Sequence, residues 1–360
     1  MNNAASFAKH IFVHIMNEEE NLLETENGET IYERKSLLVS GGQEPLRIDK
    51  WMQSQLQKTS RNKIQQAIND GFLTVNAEKV KSNYKVRPGD QVLLMSYTQP
   101  ESLEVKPENI PLNIVYEDDD LMVVNKPANM VVHPGVGNYT GTLLNGIAWH
   151  LLQQNPSLDE DSLPRYGLVH RIDKNTTGLL VVAKKGEAAA HLAKQFFDHT
   201  ITRNYIALAW GEMENEAGTI TTKIARHQRF RKIFDAYPME EEVGKIAITH
   251  YKVLEKFHYV TLVQCTLETG RTHQIRVHFQ HIGHSIFNDA DYGGDKILKG
   301  TVYARYKQFV ENCFEICPRC ALHAKTLGFI HPATKKEMLF EAPIPQDMQM
   351  LIEKWKNYIQ

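Results

Sequence analysis

Short apolar runs recur through residues 112–360, and they constrain the fold more than any other feature of the chain. They cover residues 121–124, 178–183, 204–210, 249–254, 259–265 and 322–330. Apolar runs of roughly four to eight residues are typical of buried strands, because core helices need longer periodic segments. Strands outnumber helices here and do not alternate with them, so the pattern predicts an α+β fold with a mixed, mainly antiparallel sheet.

Helical spacing of apolar residues is confined to a few segments of this region. The segments are residues 142–152, 187–197, 272–281 and a closing amphipathic stretch that begins at Gln346. In the third segment Ile275 and Phe279 share one face, so Arg276 is expected to point away from the apolar stripe. An arginine in this position can meet an anionic partner, and a solvated surface arginine is the alternative.

Residues 46–97 are predicted to form a separate small unit. Apolar residues at helical spacing occupy residues 46–56 and 60–70, and short strands are predicted at residues 72–75 and 91–95. Two helices and a small hairpin are too little for a whole enzyme, but they suffice for a binding module. The pattern therefore predicts a small α/β binding domain.

The formal net charge of −2 conceals an uneven distribution, because residues 1–45 are acidic and the small unit is basic. The basic side chains of the small unit are Arg47, Lys50, Lys58, Arg61, Lys63, Lys79, Lys81, Lys85 and Arg87. Such a concentration of positive charge favours the binding of a polyanion. Arg61 and Lys63, in the second predicted helix, are candidate contacts for it.

These patterns divide the chain into four parts. Residues 1–45 are interpreted as an acidic extension, and residues 46–97 as the small binding domain. Pro100, Pro107 and Pro111, among scattered charges, predict a linker at residues 98–111. Residues 112–360 then form the large domain.

The cysteine and histidine patterns predict neither a disulfide framework nor a metal site. The four cysteines, Cys265, Cys313, Cys317 and Cys320, are few and clustered, as expected in a reducing cytosol. The last two form a C-x-x-C pair, but no second pair follows at zinc-ribbon or zinc-finger spacing. No apolar run could cross a membrane and no secretion signal is recognised, so a cytoplasmic protein is expected.

The segment with the most chemical content is residues 167–178, which leads into an apolar run. It places Asp173 between Arg171 and Lys174 at a predicted junction of loop and strand. Nearby cations keep such a carboxylate ionised at neutral pH. An ionised Asp can attack an electrophilic sugar carbon or remove a proton. The alternative is an Asp that caps a turn and pairs with Arg171.

Two further segments carry candidate site residues. In the predicted strand at residues 204–210, Tyr205 shares a face with Arg203, where its ring can stack on a base or simply pack with its hydroxyl bonded. Lys126 precedes Pro127 at the end of another predicted strand, where a rigid turn can hold the ammonium near a phosphate. A solvated lysine in a turn is the alternative for Lys126.

Taken in order, these segments resemble the pseudouridine synthases of the RluA/RluD type. The matching motifs are His170-Arg-Ile-Asp173, the strand at residues 203–211, Gly270-Arg-Thr-His-Gln-Ile-Arg-Val-His278, Ala321-Leu-His-Ala324 and His331-Pro332. Residues 46–96 resemble the small RNA-binding domain named after ribosomal protein S4. The resemblance runs from residue 46 to the end of the chain, and it is closest to the branch that modifies large-subunit ribosomal RNA.

The resemblance implies catalytic roles for single residues. Asp173 matches the catalytic Asp of the family, and Tyr205 matches the active-site Tyr that stacks on the target base. Arg276 matches the Arg that pairs with the catalytic Asp, and Ile275 matches an apolar residue of the uracil pocket.

The resemblance also implies a group of substrate-binding residues. Arg171, with His170 beside it in the signature, matches an Arg that contacts RNA around the target. Lys126 belongs to the family's Lys-Pro motif, which supports the site, and Arg61 and Lys63 lie in the S4-like domain. Cys320 stands where the family commonly has Gln, which favours an accidental origin of the C-x-x-C pair.

The implied function is that of an enzyme, a pseudouridine synthase that isomerises uridines of structured RNA, with 23S large-subunit ribosomal RNA as the expected substrate. The isomerisation involves no redox or phosphoryl step, so no cofactor is expected. A uridine inside a helix must be flipped out to reach Asp173. Two alternatives are a transfer RNA pseudouridine synthase and a non-catalytic RNA-binding or ribosome-assembly factor. The expected partner is RNA rather than a membrane, and a monomer is expected.

Overall fold

The computed structural model of the protein describes residues 23–24, 30–31, 33–56, 61–69, 71–96, 105–135, 138–158, 163–227, 233–301 and 303–358. The chain divides between residues 102 and 103 into two units, which are described separately below. None of the helices in these ranges is long and apolar enough to cross a bilayer.

The small unit is an antiparallel sheet packed against two helices. Its strands are β1 (Leu23–Glu24), β2 (Thr30–Ile31), β3 (Glu33–Leu38), β4 (Leu73–Val75), β5 (Glu78–Lys79) and β6 (Gln91–Ser96). Its helices are α1 (Ile48–Gln55) and α2 (Arg61–Asn69). The sheet order is β3-β6-β4-β5, and β1 pairs with β2 in a separate sheet. Buried Ile48, Trp51, Ile64 and Leu73 join the helices to the sheet.

Strand β3 brings part of the N-terminal stretch into this sheet. It pairs along its length with β6, from Glu33 opposite Ser96 to Leu38 opposite Gln91. Val39, which follows, is buried in the same core. The sheet therefore includes residues that the sequence analysis assigned to the acidic extension at residues 1–45. Most of that stretch lies outside the described residues.

The large unit is built on one sheet of ten strands. The strands are β7 (Ile114–Glu117), β8 (Leu121–Lys126), β9 (Thr177–Ala183), β10 (Thr202–Trp210), β11 (Ala217–Arg226), β12 (Phe234–Tyr237), β13 (Lys245–Lys256), β14 (Val260–Leu267), β15 (Leu322–Ile330) and β16 (Glu337–Glu341). In space the order is β12-β11-β13-β14-β10-β15-β9-β8-β7, and β16 pairs with β15. All pairs are antiparallel except β9 with β15. The α+β fold with a mixed, mainly antiparallel sheet is therefore confirmed.

Helices cover both faces of this sheet. They are α3 (Leu143–Gln154), α4 (Gly186–Phe197), α5 (Gln274–His281), α6 (Ala304–Ile316) and α7 (Gln346–Tyr358). Because side chains alternate along a strand, Met122 and Val124 of β8 face a core shared with α3, α5, α6 and α7. Leu121 and Val123 face the opposite core, which is covered by α4.

The parallel pair joins two antiparallel halves of the sheet, and we call this junction the seam. In the seam, Thr177 lies opposite His323 and Gly178 lies opposite Ala324. A Cβ on Gly178 would lie 2.2 Å from the carbonyl oxygen of Ala324, and the φ of Gly178 is 118°. Only glycine adopts this conformation readily, so Gly178 permits the two halves to approach closely. The loop that carries Asp173 enters the sheet at the seam.

Candidate active site

Asp173 opens the turn that leads into β9. Its carbonyl oxygen accepts a hydrogen bond from the amide of Thr176 at 3.1 Å. Upstream in the same loop, Nε2 of His170 accepts a hydrogen bond from the amide of Val181 at 2.9 Å. These bonds tie the loop to itself and to β9, so the carboxylate is held beside the sheet while its side chain keeps 20% exposure.

The guanidinium of Arg276, on α5, is surrounded by three carboxylates. Its Nε and Nη2 each lie 2.7 Å from an oxygen of Asp289, and Nη2 lies 2.6 Å from Oδ2 of Asp291. Its Nη1 reaches Oδ2 of Asp173 at 3.4 Å. The guanidinium also lies over the ring of Tyr292, 4.8 Å from its centre. Burial would lower the pKa of Arg276, but the hydrogen bonds to Asp289 together with the charges of Cys320, Asp289 and Asp173 raise that pKa.

His273 faces the other oxygen of Asp173. Its Nε2 lies 3.8 Å from Oδ1 of Asp173, and its Nδ1 lies 2.8 Å from the hydroxyl of Tyr292. That hydroxyl also accepts a hydrogen bond from the amide of Phe234 at 3.0 Å, and its own proton can be donated to Nδ1. Burial favours the neutral ring by lowering the pKa of His273. When Tyr292 donates to Nδ1, the ring proton is on Nε2, towards Asp173.

The backbone of His273 is unusual for a residue with a side chain. It has a φ of 56°, in the left-handed region, and directly precedes the first residue of α5, Gln274. Residues other than glycine adopt this region at a cost, and such residues cluster at functional sites. The helix therefore begins after His273, and not at residue 272 as the periodicity predicted.

Tyr205 lies on β10 beside the same groups. Its side chain is buried, and burial raises the pKa of the phenol to about 12. The positive charge of Arg203 opposes this rise and the negative charge of Asp173 adds to it. The phenol is therefore uncharged throughout the neutral pH range, and it can offer a ring face and a hydroxyl but no negative charge.

One cavity of about 480 Å³ collects most of the residues predicted from the sequence. Its lining includes Asp173, Tyr205, Arg276, Arg171, Ile275 and His170. Sites for small molecules and nucleotides are usually clefts of roughly 300–1,000 Å³ lined by apolar groups and a few polar ones. This cavity has the volume and the mixed lining to hold one nucleoside.

His170 and Arg171 have different environments although they are neighbours. The ring of His170 stacks on Phe196 at 4.4 Å between centres, and burial lowers the pKa of His170 to about 3. His170 is therefore neutral and acts as an acceptor for the β9 backbone. The side chain of Arg171 is exposed at the cavity, where it is free to contact a large ligand.

Lys126 lies beneath the Asp173 loop and is 1% exposed. Its Nζ donates hydrogen bonds to the carbonyl oxygens of Pro127, Met130 and Lys174, at 2.8, 2.9 and 3.0 Å. Burial lowers the pKa of Lys126 to about 7, against the opposing charge of Asp173. All three donors are used by the backbone, which fits a supporting role for the Lys-Pro motif.

Arg61 lies in the small unit, where it joins Arg47 in holding a buried carboxylate. Both guanidinium groups bond to Asp49, which is 0% exposed, at 2.8 and 2.9 Å. Burial would raise the pKa of Asp49, but the hydrogen bonds from Arg47, Gln65 and Arg61 hold it well below its usual value. Arg61 keeps 40% side-chain exposure. Lys63 lies on α2, and its side chain is outside the described part of the chain.

Among the described residues, no group of three metal-ligating side chains lies in the cavity. Within the described ranges, Asp118, Asp120 and His331 form the single group with metal-like spacing. Asp118 is already saturated there, because its oxygens accept bonds from two amides, Tyr116 and His331. The C-x-x-C thiols are buried and separately engaged: Cys317 lies 3.8 Å from Asp347, and Cys320 lies 3.4 Å from Asp289.

Sequence reasoning missed the carboxylates that hold Arg276. Asp289 and Asp291 follow α5 in an irregular loop, where no period marks a side chain as buried or exposed. The sequence held one weak signal for these carboxylates. Arg276 was predicted to point away from the apolar stripe of its helix, and a buried Arg in such a position needs an acidic partner. His273 was part of a quoted motif, but nothing in its spacing indicated that it would face Asp173.

Two family models match the chain. The model described as RNA pseudouridylate synthase matches residues 120–281 of the large unit. The S4 domain model matches residues 46–92 of the small unit. The first range contains Asp173, Tyr205, His273 and Arg276.

Relatives match nearly the whole chain. An uncharacterized RNA pseudouridine synthase of Chlorobaculum parvum is 46% identical over 319 residues, which are 89% of this chain and 97% of the relative. The ribosomal large subunit pseudouridine synthase D of Escherichia coli K12 is 42% identical over 317 residues, 88% of this chain and 92% of the relative. Among solved structures, human RNA Pseudouridylate Synthase Domain Containing 4 shares the fold, with a TM-score of 0.53 and 21% identity over 68% of this chain and 93% of that one.

Proposed function

Because the chain belongs to the RNA pseudouridine synthase family, we propose that it isomerises specific uridines of large-subunit ribosomal RNA, with Asp173 as the catalytic carboxylate. Family membership makes the chain an isomerase. The choice of ribosomal RNA is supported by the relative whose name refers to the large ribosomal subunit. That relative is 42% identical, and the match covers 92% of its length.

One observation carries the proposed catalytic roles. Asp173, Tyr205 and Arg276 come from a loop, a strand and a helix that are far apart in the sequence, yet they line one cavity. A structural ion pair would account for Asp173 and Arg276 alone. It would not account for the buried phenol of Tyr205 beside them, nor for a space large enough for a nucleoside.

The proposed reaction breaks the C1′–N1 bond of uridine, turns the uracil in the cavity and forms a C1′–C5 bond. The proton on C5 is lost and N1 gains one, so the product is an isomer of the substrate. Asp173 starts cleavage, either by attack on C1′ or by removal of the 2′ proton. Arg276 bonds to one of its oxygens and His273 lies beside the other, and neutral Tyr205 packs against the base.

A uridine in a helix must leave the stack to enter this cavity. Unstacking costs a few kcal/mol, and loops or bulges reduce that cost. We propose that exposed Arg171 contacts the RNA beside the opened position. Ile275, which also lines the cavity, would contact the uracil ring.

The first test follows the proton on C5. Purified protein should release tritium from RNA that carries [5-³H]uridine, and the pseudouridines should map to sites in large-subunit ribosomal RNA. The control is ribosomal RNA incubated without protein. Absence of tritium release from every RNA would contradict the isomerase activity, whereas release from transfer RNA alone would contradict only the substrate.

We also propose that the small unit, with its S4 domain at residues 46–92, anchors the RNA backbone through its basic side chains. Removal of residues 1–102 should weaken binding of ribosomal RNA by about tenfold or more, because each lost phosphate contact removes favourable counterion release. The salt dependence of binding should become less steep. Unchanged affinity, salt dependence and site choice after truncation would count against this role.

A further inference from the structure

Arg203 is a buried arginine in the cavity that lacks an acidic partner. It lies on β10 two residues before Tyr205 and is 9% exposed. Among the described residues, no carboxylate lies within ion-pair distance of it. Its Nε has no hydrogen-bond partner, and its Nη2 reaches only the carbonyl oxygen of Glu268, at the limiting distance of 3.5 Å. Burial lowers the pKa of Arg203.

Two other buried arginines of the same unit have acidic partners. Arg276 is 7% exposed and bonds to three carboxylates, and Arg319 is 3% exposed and bonds to Asp347 through two nitrogens. A buried charge without a counter-charge is unfavourable. Among the buried arginines of the described residues, Arg203 alone bears this cost, and it lines the cavity. A negative charge that enters with a ligand would remove the cost.

The surroundings pack around the Arg203 guanidinium without neutralising it. Its Cζ lies 5.7 Å from the ring centre of Phe196. A Cβ on Gly270 would lie 2.5 Å from its Nη1, so the missing side chain leaves room for the guanidinium. A cation that is fixed before binding loses little freedom when an anion arrives.

Phe197 is an aromatic residue in the lining of the same cavity. It is the last residue of α4 and lines the cavity, yet it is 82% exposed. An exposed aromatic ring in the same cavity as a cation is the combination with which proteins bind single-stranded nucleic acid, because bases stack on rings and phosphates pair with cations.

We propose that Arg203 and Phe197 form a subsite for the nucleotide next to the target uridine, in which Arg203 pairs with the connecting phosphodiester and Phe197 stacks on the neighbouring base. This rests on the proposed function, since it requires an RNA chain with one uridine in the cavity. The two residues would hold the chain on one side of the flipped nucleotide, while Tyr205 holds the uracil.

The phosphate contact can be tested with Arg203→Met and with RNA that carries a neutral methylphosphonate at either linkage beside the target. Single-turnover KM should rise about 30-fold or more for the variant. With the unchanged protein, the modified RNA should raise KM by a similar factor. With Arg203→Met, the modified RNA should have nearly the same KM as the unmodified RNA. Arg203→Lys should recover part of the loss. Fully additive effects at both linkages, or an unchanged KM, would overturn the contact.

Thermal unfolding of the free protein distinguishes this role from a structural one. Arg203→Met should keep or raise the unfolding temperature, because it removes a buried charge that has no partner. A clear fall in unfolding temperature would mean that Arg203 stabilises the fold, and would overturn the inference. If the unchanged protein releases no tritium at all, the proposed function itself fails, which is a different result.

The stacking contact is tested with Phe197→Ala and with RNA that lacks the base on either side of the target. The variant should raise KM about 5- to 150-fold, and this loss should disappear when the stacked base is absent. Phe197→Tyr keeps an aromatic ring and should recover most of the loss. Tyr303→Ala, at an aromatic ring that is 74% exposed elsewhere, is the matched control and should change nothing. Equal KM values for Phe197→Ala and the unchanged protein would overturn the contact.

Discussion

Replacing Asp173 with asparagine is expected to abolish pseudouridine formation, with a fall in kcat of about 10⁴-fold or more. The amide has the size and shape of the carboxylate, but it is neither a nucleophile nor a base. Arg276 keeps its bonds to Asp289 and Asp291, so the variant should fold. Its affinity for RNA should change little, because Arg171 and the small unit are untouched.

Asp291→Asn is the matched control for this experiment. It makes the same change on another carboxylate that bonds to Arg276, but its side chain is 55% exposed. An exposed ion pair contributes little, so kcat should fall by no more than about fivefold. Tritium release and RNA binding should be measured for both variants. Normal turnover by Asp173→Asn would refute the assignment of the catalytic carboxylate.

Replacing Arg276 with methionine is expected to remove activity and stability together. Asp289 has 1% side-chain exposure and two bonds to this guanidinium, so the change leaves a buried carboxylate without its cation. Breaking a buried pair from one side costs about 3–5 kcal/mol in free energy of unfolding. Activity should fall as well, because Asp173 loses the group that holds its Oδ2. Urea unfolding and tritium release measure the two effects.

The double variant Arg276→Met with Asp289→Leu separates these effects. Removing both partners of a buried pair can be nearly neutral for stability, so most of the lost stability should return. Activity should stay low, because the guanidinium near Asp173 is still absent. Recovery of turnover in the double variant would mean that Arg276 contributes only to stability. Unchanged stability of Arg276→Met would contradict the pairing of Arg276 with Asp289.

Elements with one clear apolar period could be predicted from the sequence. Strand β15 has the predicted bounds, and β9 and β10 lie close to them, because buried strands carry uninterrupted apolar residues. Strand β11 was not predicted, since its buried face mixes Ile220 and Ile224 with Thr222. Helix α6 was not predicted either, because tyrosine and cysteine take two of its three buried positions.

The candidate site could be predicted in its parts but not in its assembly. The motifs indicated Asp173, Tyr205 and Arg276 singly, through residue type and resemblance. They did not indicate that Arg276 is buried, because Asp289 and Asp291 reach it from a loop without periodicity. The lack of a partner for Arg203 is equally invisible in the sequence, since it depends on which strands and loops surround its side chain.

The geometry of the site depends on the pairing of the two halves of the sheet at the seam. Asp173 comes from the half that contains β7, β8 and β9, whereas Tyr205 and Arg276 come from β10 and from the helix after β14, in the other half. The two halves meet through the short contact at Gly178 and Ala324. A small slip between them would therefore separate the Asp173 carboxylate from Tyr205 and Arg276, even with each local motif intact. The relative positions of the three side chains depend on how the two halves pair, so neither half expressed alone would contain the complete site.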